Sequence, residues 1–180
     1  YLDAASDDAI SIDSSDPDVY KLLLGRYSAV TRVADMEWGE FYTGIRKANI
    51  VINNIDIVPF NLKYINALGE VKPLNFSMKA EARFLRAHFY FELVKRYGGI
   101  PLIGDNVYVL GDDIELPRNT FAQCIEYIID ELDEIKNDLR CLPMNDAGDY
   151  AHVPTKEACM AMKARVLLYA ASPLFNERTI

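Results

Sequence analysis

The stretch from Ala80 to Tyr97 limits what this chain can fold into more than any other part of it. Ala80, Phe84, Ala87, Phe91 and Val94 advance by four, three, four and three residues, which is one stripe of an α-helix and not the alternation of a strand. Leu85, Tyr90, Leu93 and Tyr97 widen the stripe beyond what one neighbour covers, so the helix is expected to pack on two sides. Ser77 reads as its N-cap, and Arg83, Arg86 and Lys95 as its polar edge. Glu92 and Arg96 stand four apart in the favourable order. Gly98 suits the positive φ that closes a helix, and Pro101 cannot resume one.

A helix covered on two sides requires further helices, and the chain supplies them. Trp38, Tyr42, Ile45, Asn49 and Ile52 form one buried face that ends before Pro59, because the residue ahead of a proline is pushed out of the α region. A shorter helix, Leu62 to Gly69, is expected after Asn61 as its cap. Beyond a long connection, Pro101 to Arg118, Thr120 and Gln123 match the reciprocal capping box. Phe121, Ile125, Ile128, Leu132, Ile135 and Leu139 then repeat by four, three, four, three and four, up to a stop at Pro143. Residues 144–154 are a polar loop. Thr155 caps a last helix whose Ala158, Ala161, Ala164, Leu168 and Ala171 let a neighbour approach closely, so this helix is expected to be central.

Residues 1–35 lack a sustained period, and the cluster Ser11 to Asp18 is turn chemistry. They read as an irregular, loop-rich segment within one domain spanning 1–180, with Val19 to Leu24 open to helix or strand. The fold class is all-α.

Charge and cysteine usage exclude several functions. A net charge of −8 removes the Lys/Arg surplus that non-specific nucleic-acid or anionic-lipid binding requires. Cys124, Cys141 and Cys159 are odd in number and contain no CxxC pair, so neither a disulfide framework nor a zinc knuckle is supported. No apolar run reaches the ~20 residues that span a bilayer. The first residue is Tyr1 and not Met, so a processed or trimmed N-terminus is expected.

Two helices share a spacing, Ala80, Phe84, Ala87 and Ala164, Leu168, Ala171, which is like the second helix of a tetratricopeptide repeat. The Trp, Leu, Gly, Tyr pattern of that repeat's first helix is absent. The spacing is equally compatible with a helical-repeat adaptor that grips a protein segment.

Longer segments separate these readings. The run AEARFLRAHFYFELVKRYGGIPLI, residues 80–103, resembles the hallmark of the SusD/RagB family of outer-membrane nutrient-binding lipoproteins. Four further segments resemble it in order and spacing: Ala5 to Ala9, Trp38 to Asn49, Leu116 to Thr120, and Lys163 to Asn176. The resemblance implies tetratricopeptide-like helices with long irregular loops. It also implies that the chain is the N-terminal part of a longer member, without the signal peptide and the lipid-bearing cysteine. The implied function is non-catalytic: a surface-exposed, lipid-anchored protein of the bacterial outer membrane that captures oligo- or polysaccharide and hands it to a SusC-like TonB-dependent transporter. No cofactor is implied.

Sugar capture needs an exposed aromatic ring for the apolar sugar face, with carboxylate, amide or guanidinium groups around the hydroxyls. Gly25 to Ser28 resembles the place where relatives carry an aromatic loop residue near the glycan; Tyr27 replaces their more usual Trp, and Leu23-Leu24 stands where Asn-Asn often precedes it. Tyr27 is the first candidate, with Arg26, Arg32 and Asp7 as hydrogen-bonding neighbours. Tyr108, in the long connection, is a second exposed aromatic, or a loop tyrosine tucked against the bundle. Arg118 reads as a residue that orients the loop or the nearby helix and not a ligand. The carboxylate pairs Asp7-Asp8 and Asp112-Asp113 read as solvated loop charge, with calcium ligation the alternative. His88 reads as packing within its helix, and His152 has no nucleophile partner. With no P-loop, HExxH or GxSxG, the chain is read as no enzyme.

Overall fold

The apolar stripes collapse into a helical scaffold in the computed structural model, which describes residues 21, 24–26, 28, 37–59, 61–141 and 152–175. The elements in order are α1 (Trp38–Asn54), a 3₁₀ turn (Ile55–Ile57), β1 (Lys63–Ile65), β2 (Val71–Pro73), α2 (Leu74–Tyr97), α3 (Phe121–Ile135) and α4 (Lys156–Ala170). The chain divides into two compact units, residues 1–38 and 39–180. In the first, Leu24 and Gly25 form a turn in which the Arg26 amide donates to the Lys21 carbonyl at 2.8 Å.

The second unit is organised around α2, which packs against α3, α4 and both strands. Tyr90, Leu93 and Val94 are fully buried, and Phe91 nearly so. Each such side chain removed from water contributes about 1.5–3 kcal/mol before its entropy cost. The helix closes at Gly98, whose φ of 68° gives the expected positive-φ stop. α3 begins with the capping box in full: the Thr120 side chain accepts from Gln123 N, and the Gln123 side chain accepts from Thr120 N. Its buried line Cys124, Ile125, Ile128, Leu132 and Ile135 lies on α2 and α4. The helix gives way to a turn after Ile135, before the expected stop at Pro143, but Leu139 stays fully buried.

Four details differ from the sequence-based expectations. The segment Leu62 to Gly69 is not a helix but the first half of an antiparallel hairpin, with Lys63, Tyr64 and Ile65 opposite Pro73, Lys72 and Val71. Only Tyr64 points inward, its hydroxyl donating to the Asp138 carbonyl at 2.6 Å. Asn66 sits in the turn and its side-chain oxygen accepts from Leu68 N and Glu70 N, closing the hairpin, so Asn61 has no helix to cap. Ser77 is likewise no cap: Pro73 presets the helical entry, α2 starts at Leu74, and the buried Ser77 hydroxyl donates to Glu81 at 2.6 Å.

Arg86 does not belong to a polar edge; it is 1% exposed. Its position four before Tyr90 puts it on the widened apolar stripe, where partners on α1, α3 and the following loop meet its charge. The last helix is not central either. Cys159, Met162 and Val166 face α3, while Ala158, Ala161, Ala164, Leu168 and Ala171 are exposed. Contact with α3 sets the facing: the Cys159 thiol reaches the Leu132 carbonyl at 3.3 Å, while Leu168 is left 74% exposed. Among the described residues no helix is long and apolar enough to cross a membrane.

Candidate functional site

The long connection between α2 and α3 is held in one path by groups from α1 and α2. Tyr42 OH donates to the Pro101 carbonyl at 2.7 Å, and Tyr90 OH accepts from Ile103 N at 3.1 Å. Asn49 donates to both Gly104 O and Asn106 O at 2.8 Å, and Asn53 donates to Asp105 O at 2.9 Å. Arg46 Nε reaches the Tyr108 carbonyl at 3.2 Å. The far end is tied by Arg118, which donates to Gly99 O at 2.8 Å and Tyr97 O at 2.7 Å, the orienting role expected of it. Burial pushes the Tyr90 phenol up to about 12, and the Tyr42 phenol higher still, so both remain protonated across the physiological range.

Beneath this loop lies a polar knot. Arg86 Nη1 donates to Asn49 Oδ1 at 2.8 Å and to Gly104 O at 3.2 Å, and pairs with the Asp105 carboxylate. Its Nη2 donates to Glu131 at 2.7 Å, and Arg83 holds the other oxygen of Glu131 at 2.7 Å. Burial opposes the charge of Arg86, but its partners outweigh burial and raise its proton affinity. The signal for this knot was in the sequence, as an Asn and an Arg placed on otherwise apolar stripes.

Held in this way, the loop projects Tyr108, Val109, Leu110 and Ile114. Tyr108 is half-buried, partly tucked against the helices, whereas Leu110 is wholly exposed. Asp112 accepts from Val109 N at 2.8 Å, so its carboxylate shapes the turn. Arg26 is exposed on the first unit. Tyr27, Arg32 and Asp7 lie outside the described residues, so of the five candidates only Arg26 and Tyr108 are placed, on separate units. His88 is exposed, contrary to its reading as packing, and His152 is exposed as well. Among the described residues no group of three His, Cys, Asp or Glu is arranged to hold a metal ion. The loop is thus anchored near both ends and presents the apolar side chains of Val109, Leu110 and Ile114 to solvent.

Comparison with known proteins extends this picture. A family model for SusD-like proteins, described as starch-binding and associating with the outer membrane, matches residues 5–168. The SusD-like protein P38 of Formosa agariphila is 24% identical over 165 residues, covering 91% of this chain and 29% of that protein. A SusD-like protein from Bacteroides fragilis superposes with a TM-score of 0.69 at 30% identity, over 87% of this chain and 28% of its own. A laminarin-binding SusD-like protein gives 0.75 at 22% identity, over 93% and 34%. The chain thus spans about a third or less of the length of these relatives, and it shares their helical, tetratricopeptide-like fold.

Proposed function

This chain belongs to the SusD-like family, starch-binding proteins that associate with the outer membrane, and we propose that it captures oligo- or polysaccharide at the cell surface for delivery to a SusC-like TonB-dependent transporter. The match over residues 5–168 carries the reading. The anchored loop supports it, because a stiff aromatic and apolar platform binds a sugar face at little ordering cost. In this reading no bond of the glycan is made or broken, and an N-terminal lipid anchor holds the protein to the membrane. Tyr27 supplies the main stacking ring, with Arg26, Arg32 and Asp7 on the hydroxyls and Tyr108 as a second aromatic contact.

Affinity electrophoresis of the full-length protein through gels containing starch, laminarin and other polysaccharides tests the proposal. Retardation by at least one glycan, reduced at least tenfold in affinity by Tyr27→Ala and unaccompanied by new reducing ends, supports it. Migration unaffected by every glycan overturns it and favours a helical-repeat adaptor.

A further inference from the structure

The groups that clasp residues 101–108 are only half used by the clasp. Arg46, Ile50 and Asn53 advance along α1 by four and three residues, so they share one stripe, and that stripe borders the loop. Arg46 donates from Nε alone to the Tyr108 carbonyl at 3.2 Å, and Asn53 from its amide nitrogen to the Asp105 carbonyl at 2.9 Å. The terminal nitrogens of Arg46 and the Oδ1 of Asn53 have no further partner among the described residues, and both side chains are exposed. On the loop side, one oxygen of Asp105 pairs with Arg86 while its side chain stays 68% exposed. The apolar members are Ile50, which stands between Arg46 and Asn53 and is 37% exposed, and the half-buried Tyr108.

The free groups are of both kinds. A guanidinium only donates, whereas the carboxylate of Asp105 and the amide oxygen of Asn53 accept. A hydroxyl does both, so the neighbouring hydroxyls of a sugar answer this mixture. A carboxylate or sulfate only accepts, and it would meet Asp105 as a like charge. The groups are also oriented in advance: Arg46 and Asn53 are each tied to a loop carbonyl, and Asp105 to Arg86. Binding therefore costs them little side-chain freedom, unlike an ordinary solvated surface of long polar residues. From Arg46 to Asn53 the stripe runs for about 10 Å, or roughly two helical turns.

We propose that this stripe and the loop beside it form a carbohydrate subsite carried wholly by the second unit and selective for neutral sugars, an inference that rests on the glycan reading above. The apolar face of a sugar ring lies on Tyr108 and Ile50. The Arg46 fork donates to a pair of adjacent hydroxyls, and hydroxyls farther along donate to Asp105 and Asn53.

Affinity electrophoresis of full-length variants tests this, on the polysaccharide panel used for the wild type with alginate, a polyuronate, added. Tyr108→Ala removes the ring but leaves the carbonyl that Arg46 holds. Arg46→Gln keeps a donor for that carbonyl and loses the fork. Hydrogen exchange over residues 101–108 verifies that the loop keeps its path, and Tyr108→Ala decides should Arg46→Gln loosen it. The expected result is an affinity at least threefold lower in each variant for the neutral polysaccharide that the wild type binds, with alginate bound more weakly than that polysaccharide. A smaller loss in Tyr108→Ala, while the wild type is still retarded, overturns the subsite and leaves the glycan reading standing. Tighter binding of alginate than of every neutral polysaccharide overturns the selectivity for neutral sugars. A wild type retarded by nothing on the panel overturns the subsite together with the glycan reading.

Discussion

The guanidinium of Arg86 and the side-chain oxygen of Asn49 meet 2.8 Å apart in the interior, joining α2 to α1 through groups that are 1% and 0% exposed. From this contact the polar knot spreads to Glu131 on α3 and to the backbone at Gly104, so one buried charge ties three helices and the loop together. Arg86→Ala leaves Asn49 Oδ1 without its donor and Glu131 with Arg83 alone, and the expected cost of breaking this buried charge network is about 3–5 kcal/mol. Chemical denaturation measures it. Hydrogen exchange resolved by residue adds a second readout, with residues 102–108 losing protection before the helices do.

Gly99 is fixed by a close approach. A Cβ placed there would stand 2.2 Å from the carbonyl oxygen of Asn119, a backbone atom that cannot step aside. Gly99→Ala is expected to displace the Asn119 strand of the loop and to destabilise by about 1–3 kcal/mol, the usual range for overpacking. A thermal melt checks the magnitude. Gly44→Ala is the informative comparison, because its nearest neighbour is the ring of Phe89, which can rotate, and a smaller loss is expected.

Tyr127 offers the opposite sign. Its hydroxyl is buried with no hydrogen-bond partner, while its ring meets Tyr90 edge-on at 5.3 Å and lies near Arg86. Tyr127→Phe keeps the ring and removes the orphan. Stability is expected to be unchanged or to rise by about 1 kcal/mol, since an unsatisfied buried polar group costs on that order. Denaturant titration in parallel with wild type decides; a loss of stability contradicts the expectation.

Glu92 gives a pH dependence. Burial pushes its carboxyl up, but Lys95 and Arg96, each 2.6 Å away, outweigh that and hold it below the ordinary glutamate value. An acid with a depressed folded pKa contributes stability that is full above its unfolded value, roughly 4.3, and lost as pH falls through the depressed one. Glu92→Gln is expected to cost about 1 kcal/mol at pH 7 and almost nothing at the acid end of that window. Stability curves at successive pH values for both proteins make the comparison.

The helices were legible because each repeats an apolar side chain at three and four residues, and α3 announces its start with Thr120 and Gln123. The hairpin was not. Three-residue strands are too short to show a period, and Asn66 and Gly69 suit a helix boundary as well as a turn. The facing of α4 was hidden for another reason: its buried line Cys159, Met162, Val166 and its alanine line have similar spacing, and only the neighbour on α3 chooses between them. Of the candidate site, Arg118 was readable from its place in the loop. The anchors Tyr42, Asn49 and Asn53 were not, because each bonds a carbonyl more than fifty residues away.

Those anchors have one property in common. Tyr42, Arg46, Asn49 and Asn53 all address the main-chain oxygens of residues 101–108, which every amino acid supplies. The scaffold therefore recognises the path of the loop and is nearly indifferent to its side chains, Asp105 aside. Such a clasp leaves the outward positions open to replacement without refitting the helices beneath, so the surface offered to solvent can diversify while the mounting that presents it stays unchanged.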